Sequence, residues 1–291
     1  MPIELDEQFF RKLDRFEVVP HGVHRGGQIG PRRSPSRGTG LEFADHKEYS
    51  PGDDIRYIDW NVYAHLEELF VKVFEQEETL PVYVLLDVSA SMSVGSPSKL
   101  ELAAKLAAAL SYVALANQDA ARVILFADGV VRSTKVLRGK ARIYDILQLL
   151  DAKAEGTTSL SAALETFSAE THLPGVALIL SDFLDPEGVL AGARLLAGRR
   201  FAVHALHMVD PSEQHPAISG DVEIQDVETG KRIQLPLRRD TLERFAAFFE
   251  DHCTALRDEL SRYGIRYLRI PTSLDLDEIL FARFPKEGVL R

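Results

Sequence analysis

The chain has one cysteine, Cys253, in 291 residues. No intrachain disulfide can form and no CxxC metal or redox motif exists, which suits a reducing compartment. No apolar run approaches the ~20 residues that cross a bilayer. The opening stretch, MPIELDEQFFRKLDRF, is charged throughout and does not read as a signal peptide. These absences lead to the expectation of a cytoplasmic protein without direct membrane insertion. Positive charge is also in deficit: 34 Lys and Arg stand against 44 Asp and Glu, for a formal net charge of −10. Duplex binding rests on neutralising phosphates, so nucleic acid is not the expected partner. There is no Walker A loop and no G-x-S-x-G elbow, so neither ATP hydrolysis by this chain nor hydrolase chemistry of that type is expected. No internal repeat is visible.

One segment runs against the charge trend. Residues 21–40 carry Arg25, Arg32, Arg33 and Arg37 with no acid among them. They read either as a basic arm for an acidic partner or as a flexible Gly/Pro/Ser loop, and the composition favours the loop. The remainder is ordinary globular sequence, 45% hydrophobic and 27% charged.

Hydrophobic periodicity supplies the elements. Leu5, Phe9, Phe10, Leu13 and Phe16 have helical spacing over residues 5–16. Pro51-Gly52-Asp53 is a turn, and residues 69–74 alternate as a strand. From Pro81 onward strands and helices alternate. Apolar strands are expected at 82–86, 123–127, 176–180, 201–209 and 265–270. Helices are expected at 99–117, 143–150, 159–167, 186–197, 240–263 (with Asp240 as N-cap) and 275–284. Val130–Leu137 follows the Asp128-Gly129 turn as a hairpin, and 222–235 forms another around Glu228-Thr229-Gly230. This alternation means an α/β fold with a mostly parallel sheet. The expected domains are an N-terminal β-rich segment, 1–79, packing on a Rossmann-like domain, 80–291.

The chemistry concentrates where strands end. Val82–Leu86 runs into Asp87, with Ser89 and Ser91 at alternate positions, and the 176–180 strand ends in Ser181-Asp182. Ligands in open α/β sheets bind beyond the carboxyl ends of strands. A loop with Gly156-Thr157-Thr158-Ser159 precedes a further helix. Two carboxylates and several hydroxyls are hard oxygen donors, and no His or Cys joins them, so the set suits Mg²⁺ or Mn²⁺ rather than Zn²⁺. Two carboxylates brought together without a cation repel, and a divalent ion removes that conflict. The plainer alternative is that Asp87 and the serines only cap the next helix and line a turn.

Asp87-x-Ser89-x-Ser91, a later Thr158 and Asp182 at a strand end resemble the metal-ion-dependent adhesion site of von Willebrand factor A domains. The resemblance implies Ser89, Ser91 and Thr158 as direct ligands, and Asp87 and Asp182 as ligands direct or through water. Thr158 rather than Thr157 fits its Gly-x-Thr pattern. The block before it, with Glu48 to Asp54, Arg56 and Ile58-Asp59-Trp60, is similar to the bacterial domain of unknown function 58 family. That likeness implies a von Willebrand factor A-type α/β domain and a MoxR-type AAA+ ATPase as partner. Within the block, Asp53, Asp54, Arg56 and Asp59 are expected to form a charge network, with Trp60 as a buried anchor.

Three functions remain open on these residues. The favoured one is non-enzymatic: a divalent-metal-dependent interaction module whose metal takes a Glu or Asp carboxylate from a partner. The second is a Mg²⁺-dependent phosphatase or phosphoryl-transfer enzyme using Asp87 as nucleophile, although Ser89 stands where such enzymes usually carry a second Asp. The third is a metal that only ties loops together. His204 and His207, three apart on a strand, point to opposite faces and are not expected to share a metal.

Overall fold

A computed structural model describes residues 6–21, 33–34, 42–77, 79–216, 218 and 220–291. The basic stretch 22–32 and 35–41 and Leu5 lie outside the described residues. In chain order the elements are α1 Glu7–Leu13, β1 Arg33–Ser34, β2 Glu42–Glu48, α2 Trp60–Leu66, β3 Phe70–Glu77, β4 Pro81–Asp87, α3 Lys99–Ala116, β5 Ala120–Phe126, β6 Val130–Ser133, β7 Leu137–Arg138, α4 Ile143–Leu150, α5 Leu160–Glu170, β8 Val176–Ser181, α6 Pro186–Gly198, β9 Ala202–Val209, α7 Pro211–Gln214, β10 Gly220–Gln225, β11 Arg232–Leu237, α8 Arg239–Arg262 and β12 Arg266–Pro271. A last helical stretch, Leu276–Glu278 and Phe284–Lys286 with a π-helical turn at Ile279–Arg283 between them, closes the chain. Among the described residues no helix is long and apolar enough to cross a membrane.

The chain divides into two compact units, Met1–Arg25 with Leu80–Arg291, and Gly26–Thr79. The described residues 6–21 therefore go with the α/β layers, which differs from a division at 79/80. The reason is packing: Phe9, Leu13, Phe16 and Val18 join the same buried cluster as α3 and the central strands, and Val18 bridges Leu290.

In the larger unit one sheet runs β12-β9-β8-β4-β5-β6, with β7 also pairing β5. The pairs β12–β9, β9–β8, β8–β4 and β4–β5 are parallel, and β6 and β7 return antiparallel to β5. The alternation of strand side chains explains why both faces are covered. Val82, Val84 and Leu86 face a layer built from α1, α3, α4 and the C-terminal stretch. Tyr83 and Leu85 face the opposite layer, built from α5, α6 and α8. Helix α3 is buried nearly all round, and Ala103, Ala107, Ala108 and Ala109 are fully covered. Such small side chains let the helix lie close to the sheet. The N-cap position of α8 is held by Arg238, without a capping side-chain bond, rather than by Asp240, which sits inside the first turn and pairs with Arg244 at 3.6 Å.

The smaller unit holds the three-stranded antiparallel sheet β1-β3-β2. Trp60 is not a buried anchor: it is 63% exposed and stacks edge-on against Tyr63 at 6.1 Å. The buried side chains in this block are Ile58 and the carboxylate of Asp59. Its Oδ1 caps α2 by accepting from Asn61 N–H. Its Oδ2 lies 3.0 Å from His46 Nε2 and 3.2 Å from Lys72 Nζ, and these bonds, His46 first, hold its carboxyl well below the usual range. The expected charge network separates into local pairs. Arg56 clasps Asp54 two residues away, and Lys47 takes Asp53.

Candidate functional site

Strand β4 is the point where the topology switches. The chain moves from β4 to β5 on one side, and later returns to place β8 on the other. Loops leaving β4 and β8 diverge there, which opens a crevice at their carboxyl ends. Asp87 ends β4 and Asp182 follows β8 directly, so sheet register brings the two acids together from positions far apart in sequence. Both are buried, as are Ser89 and Ser91.

The DxSxS turn is held by its own atoms. Ser89 N–H donates to Asp87 Oδ1 at 2.9 Å, and Ser181 Oγ–H donates to Asp87 Oδ2 at 2.7 Å. The hydroxyls of Ser89 and Ser91 lie 3.0 Å apart. Burial first, and then the nearby Asp182 charge, push the Asp87 carboxyl up to about 6 against these hydrogen bonds. Behind the turn, Glu155 N–H donates to Val88 C=O and Ala90 N–H to the carbonyl of Gly156, each at 2.9 Å. Gly156 has φ +86°, a backbone conformation that suits glycine. These two bonds tie the 155–158 loop to the DxSxS loop. Thr158 itself turns its hydroxyl to Glu228 Oε1 and its N–H to Glu228 Oε2, both at 3.2 Å.

Asp182 is divided between two environments. Its Oδ2 accepts from Lys99 Nζ at 2.7 Å. Its Oδ1 is buried with no hydrogen-bond partner among the described residues. Lys99 is fully buried and also meets Glu213. Burial opposes its charge, but Asp182 and Glu213 outweigh that and hold the ammonium above its usual range. Glu213 is set by a capping box at α7, in which its Oε2 accepts from Asp210 N–H at 3.0 Å. On the same side a cavity of about 430 Å³ is lined by Asp182, Glu213, His207, Leu184, Phe245 and Phe248. Leu184 and Phe248 are more than half exposed at its rim.

The structure thus joins Asp87, Ser89, Ser91 and Asp182 at one place and ties the Thr158 loop beside them. Sequence reasoning missed Lys99, Ser181, Glu213 and Glu228 as members of this cluster. Lys99 did carry a signal. It opens α3 directly after the capping residue Ser98, and a cation at a helix N-terminus is unfavourable unless a carboxylate meets it. His204 and His207 do face apart: His204 Nε2 lies 2.8 Å from Val19 C=O, and His207 Nδ1 lies 2.5 Å from the Tyr267 hydroxyl.

The residues present fit a hard divalent cation. At the two strand ends a buried carboxylate oxygen lacks a partner among the described residues, two buried hydroxyls face each other, and a second carboxylate is raised by burial and then by the first. No group of three or more His, Cys, Asp and Glu side chains is placed to hold a metal ion among the described residues, so such an ion would depend on the hydroxyls. Ser89, Ser91, Thr158 and Asp182 Oδ1 would hold it. Asp87, with both oxygens already accepting, would position the serines or act through water.

Comparison with known proteins gives a family and distant likenesses. Residues 45–255 match the pattern of "Protein of unknown function DUF58". Uncharacterized proteins of Mycobacterium bovis and Mycobacterium tuberculosis are each 27% identical over 242 residues, covering 80% of this chain and 74% of theirs. Among solved structures, the conserved hypothetical protein BatB of Bacteroides thetaiotaomicron is 18% identical with a TM-score of 0.44, over 72% of this chain and 98% of that one. The SpRpn10 VWA domain is 13% identical with a TM-score of 0.40, over 68% and 92%. The strand order itself, not these distant likenesses, carries the assignment of a Rossmann-like, mostly parallel sheet.

Proposed function

The chain belongs to the DUF58 family, and on that footing we propose that it is a non-enzymatic protein-interaction module whose binding depends on Mg²⁺ or Mn²⁺ at Asp87, Ser89, Ser91, Thr158 and Asp182. The observation that carries the reading is Asp182 Oδ1, buried and without a hydrogen-bond partner among the described residues, on a carboxylate close enough to raise Asp87, the residue that opens the loop of the Ser89–Ser91 hydroxyl pair. An unsatisfied buried carboxylate oxygen is costly, and a hard cation satisfies it. With two acids and otherwise neutral donors, and Lys99 already offsetting Asp182, such an ion keeps positive charge for an external carboxylate. A partner's Glu or Asp is therefore the expected ligand. The neighbouring cavity suits an apolar side chain of the same partner, because Leu184, Phe245 and Phe248 present exposed apolar area around a concave wall. The resemblance described above implies a MoxR-type AAA+ ATPase in that role.

Phosphoryl transfer from Asp87 has weaker support. A nucleophile needs a free oxygen with access to substrate, whereas Asp87 is fully buried and each oxygen accepts a hydrogen bond.

The test is calorimetric titration of Mg²⁺ and Mn²⁺ into the purified chain beside Asp87→Ala. Saturable one-site binding, lost in the variant, is expected. Capture of an AAA+ ATPase with and without chelator then follows. If capture survives both Asp87→Ala and chelation, the reading fails.

A further inference from the structure

The hairpin β10–β11 brings an acid to Thr158 from 70 residues away. Glu228 sits in its turn, and Asp226 builds that turn: Asp226 Oδ1 accepts from Glu228 N–H at 2.8 Å and from Thr229 N–H at 3.1 Å, while Gly230 N–H returns to the Asp226 carbonyl at 2.9 Å. Gly230, at φ +70°, completes the reversal. The Glu228 carboxylate is thus presented as a fork, taking both the N–H and the hydroxyl of Thr158.

We infer that Glu228 is the site's own carboxylate, filling from within the chain the position that a partner's Asp or Glu would take. This rests on the metal-site reading above. Three observations support it. The Thr158 hydroxyl is bonded to a carboxylate that belongs to neither strand-end acid. Among the described residues Glu228 pairs with no cation; the Lys99 ammonium is engaged by Asp182 and Glu213. The hairpin that carries it pairs with no other strand among the described residues. A lone two-stranded hairpin is marginal by itself, and Ile224, Ile233 and Leu235 remain exposed on it. Lifting the turn therefore costs little apolar burial. A partner carboxylate competes with Glu228 for the same place, and the hairpin sets how readily the site accepts one.

The test uses Mn²⁺ as probe on the full chain, on Glu228→Ala, and on Glu223→Ala as a control on the same hairpin. Bound Mn²⁺ is followed by electron paramagnetic resonance and by water-proton relaxation. Glu228→Ala is expected to carry about one more exchangeable water on bound Mn²⁺ than the native chain, given the octahedral habit of such ions. Added acetate should remove that water in Glu228→Ala, with no change in the native chain or the control. Without metal, hydrogen exchange at Thr158 N–H and along 226–230 should speed up in Glu228→Ala alone. One-site Mn²⁺ binding with the same water count in all three proteins overturns the inference and leaves the metal reading standing. No Mn²⁺ binding to any of the three overturns both.

Discussion

Lys99 and Asp182 form a buried ion pair, 2.7 Å from Nζ to Oδ2, with side chains 0% and 2% exposed. The pair fixes one oxygen of Asp182 and leaves the other unpartnered. Removing one member of a buried pair strands the other charge, at a cost of about 3 kcal/mol or more. Lys99→Met is therefore expected to lower the metal-free stability by that order, read from urea unfolding. If the site takes a divalent cation, Mg²⁺ should restore a larger increment in Lys99→Met than in the native chain, because two oxygens of Asp182 then face the ion. Equal Mg²⁺ increments would mean that Lys99 and the metal do not share Asp182.

The two serines separate a metal site from a simple turn. Each hydroxyl is the other's neighbour at 3.0 Å, so Ser89→Ala or Ser91→Ala costs about 1 kcal/mol of metal-free stability. Mg²⁺ at ~100 times its dissociation constant should add about 2.7 kcal/mol to the native chain, and either variant should lose most of that gain. Thermal or urea unfolding with and without Mg²⁺ checks this. If the turn reading is right, both variants lose the small metal-free term and Mg²⁺ does nothing in any of them.

Trp60 offers a direct optical check, since it is the chain's one tryptophan. At 63% exposure its emission should be that of a solvated indole and open to acrylamide quenching. Trp60→Ala should change stability by no more than about 0.5 kcal/mol, whereas Asp59→Ala, which removes the cap of α2 and the partner of His46 and Lys72, should cost about 1 kcal/mol or more. A blue-shifted, unquenchable emission would contradict this arrangement.

Sequence made the sheet and the strand-end acids legible for a physical reason. Strands covered on both faces, such as Val82–Leu86 and Val176–Leu180, must be continuously apolar, so a carboxylate that ends one stands out. What stayed hidden were partnerships across distance. Lys99 meets Asp182 across 83 positions and Glu228 meets Thr158 across 70, and no local pattern encodes such a meeting. Trp60 misled because aromatic size argues for burial on average. Here α2 is short, and a buried carboxylate, Asp59, does the anchoring instead. Asp240 misled because acids are favoured both at the cap and inside the first turn, so residue type alone does not separate the two positions.

Two buried imidazoles, His204 and His207, give the fold a pH dependence of its own. Burial pulls His204 down to about 4 and His207 down to about 3, from an ordinary 6.5. The Val19 carbonyl on His204 opposes this, while Arg266 and His21 add to it. Around His207 the charges of His252, Lys99 and Arg269 act in the same direction as burial. In the unfolded chain both rings bind protons as pH falls through about 6.5, whereas in the folded chain they stay neutral until pH is much lower. The unfolded state therefore binds more protons in that window, and stability rises with pH across it. Each histidine contributes a slope of up to about 1.4 kcal/mol per pH unit below 6.5. Urea midpoints between pH 7 and 5 should fall as acid is added, because the two rings together outweigh Asp87, whose folded-state carboxyl, held at about 6, takes up a proton in the same window and opposes the fall. His204→Gln should have a lower midpoint at pH 7 but a shallower decline, because one of the two proton sinks of the unfolded chain is gone. An unchanged slope in both His204→Gln and His207→Phe would show that neither ring is held neutral in the folded state.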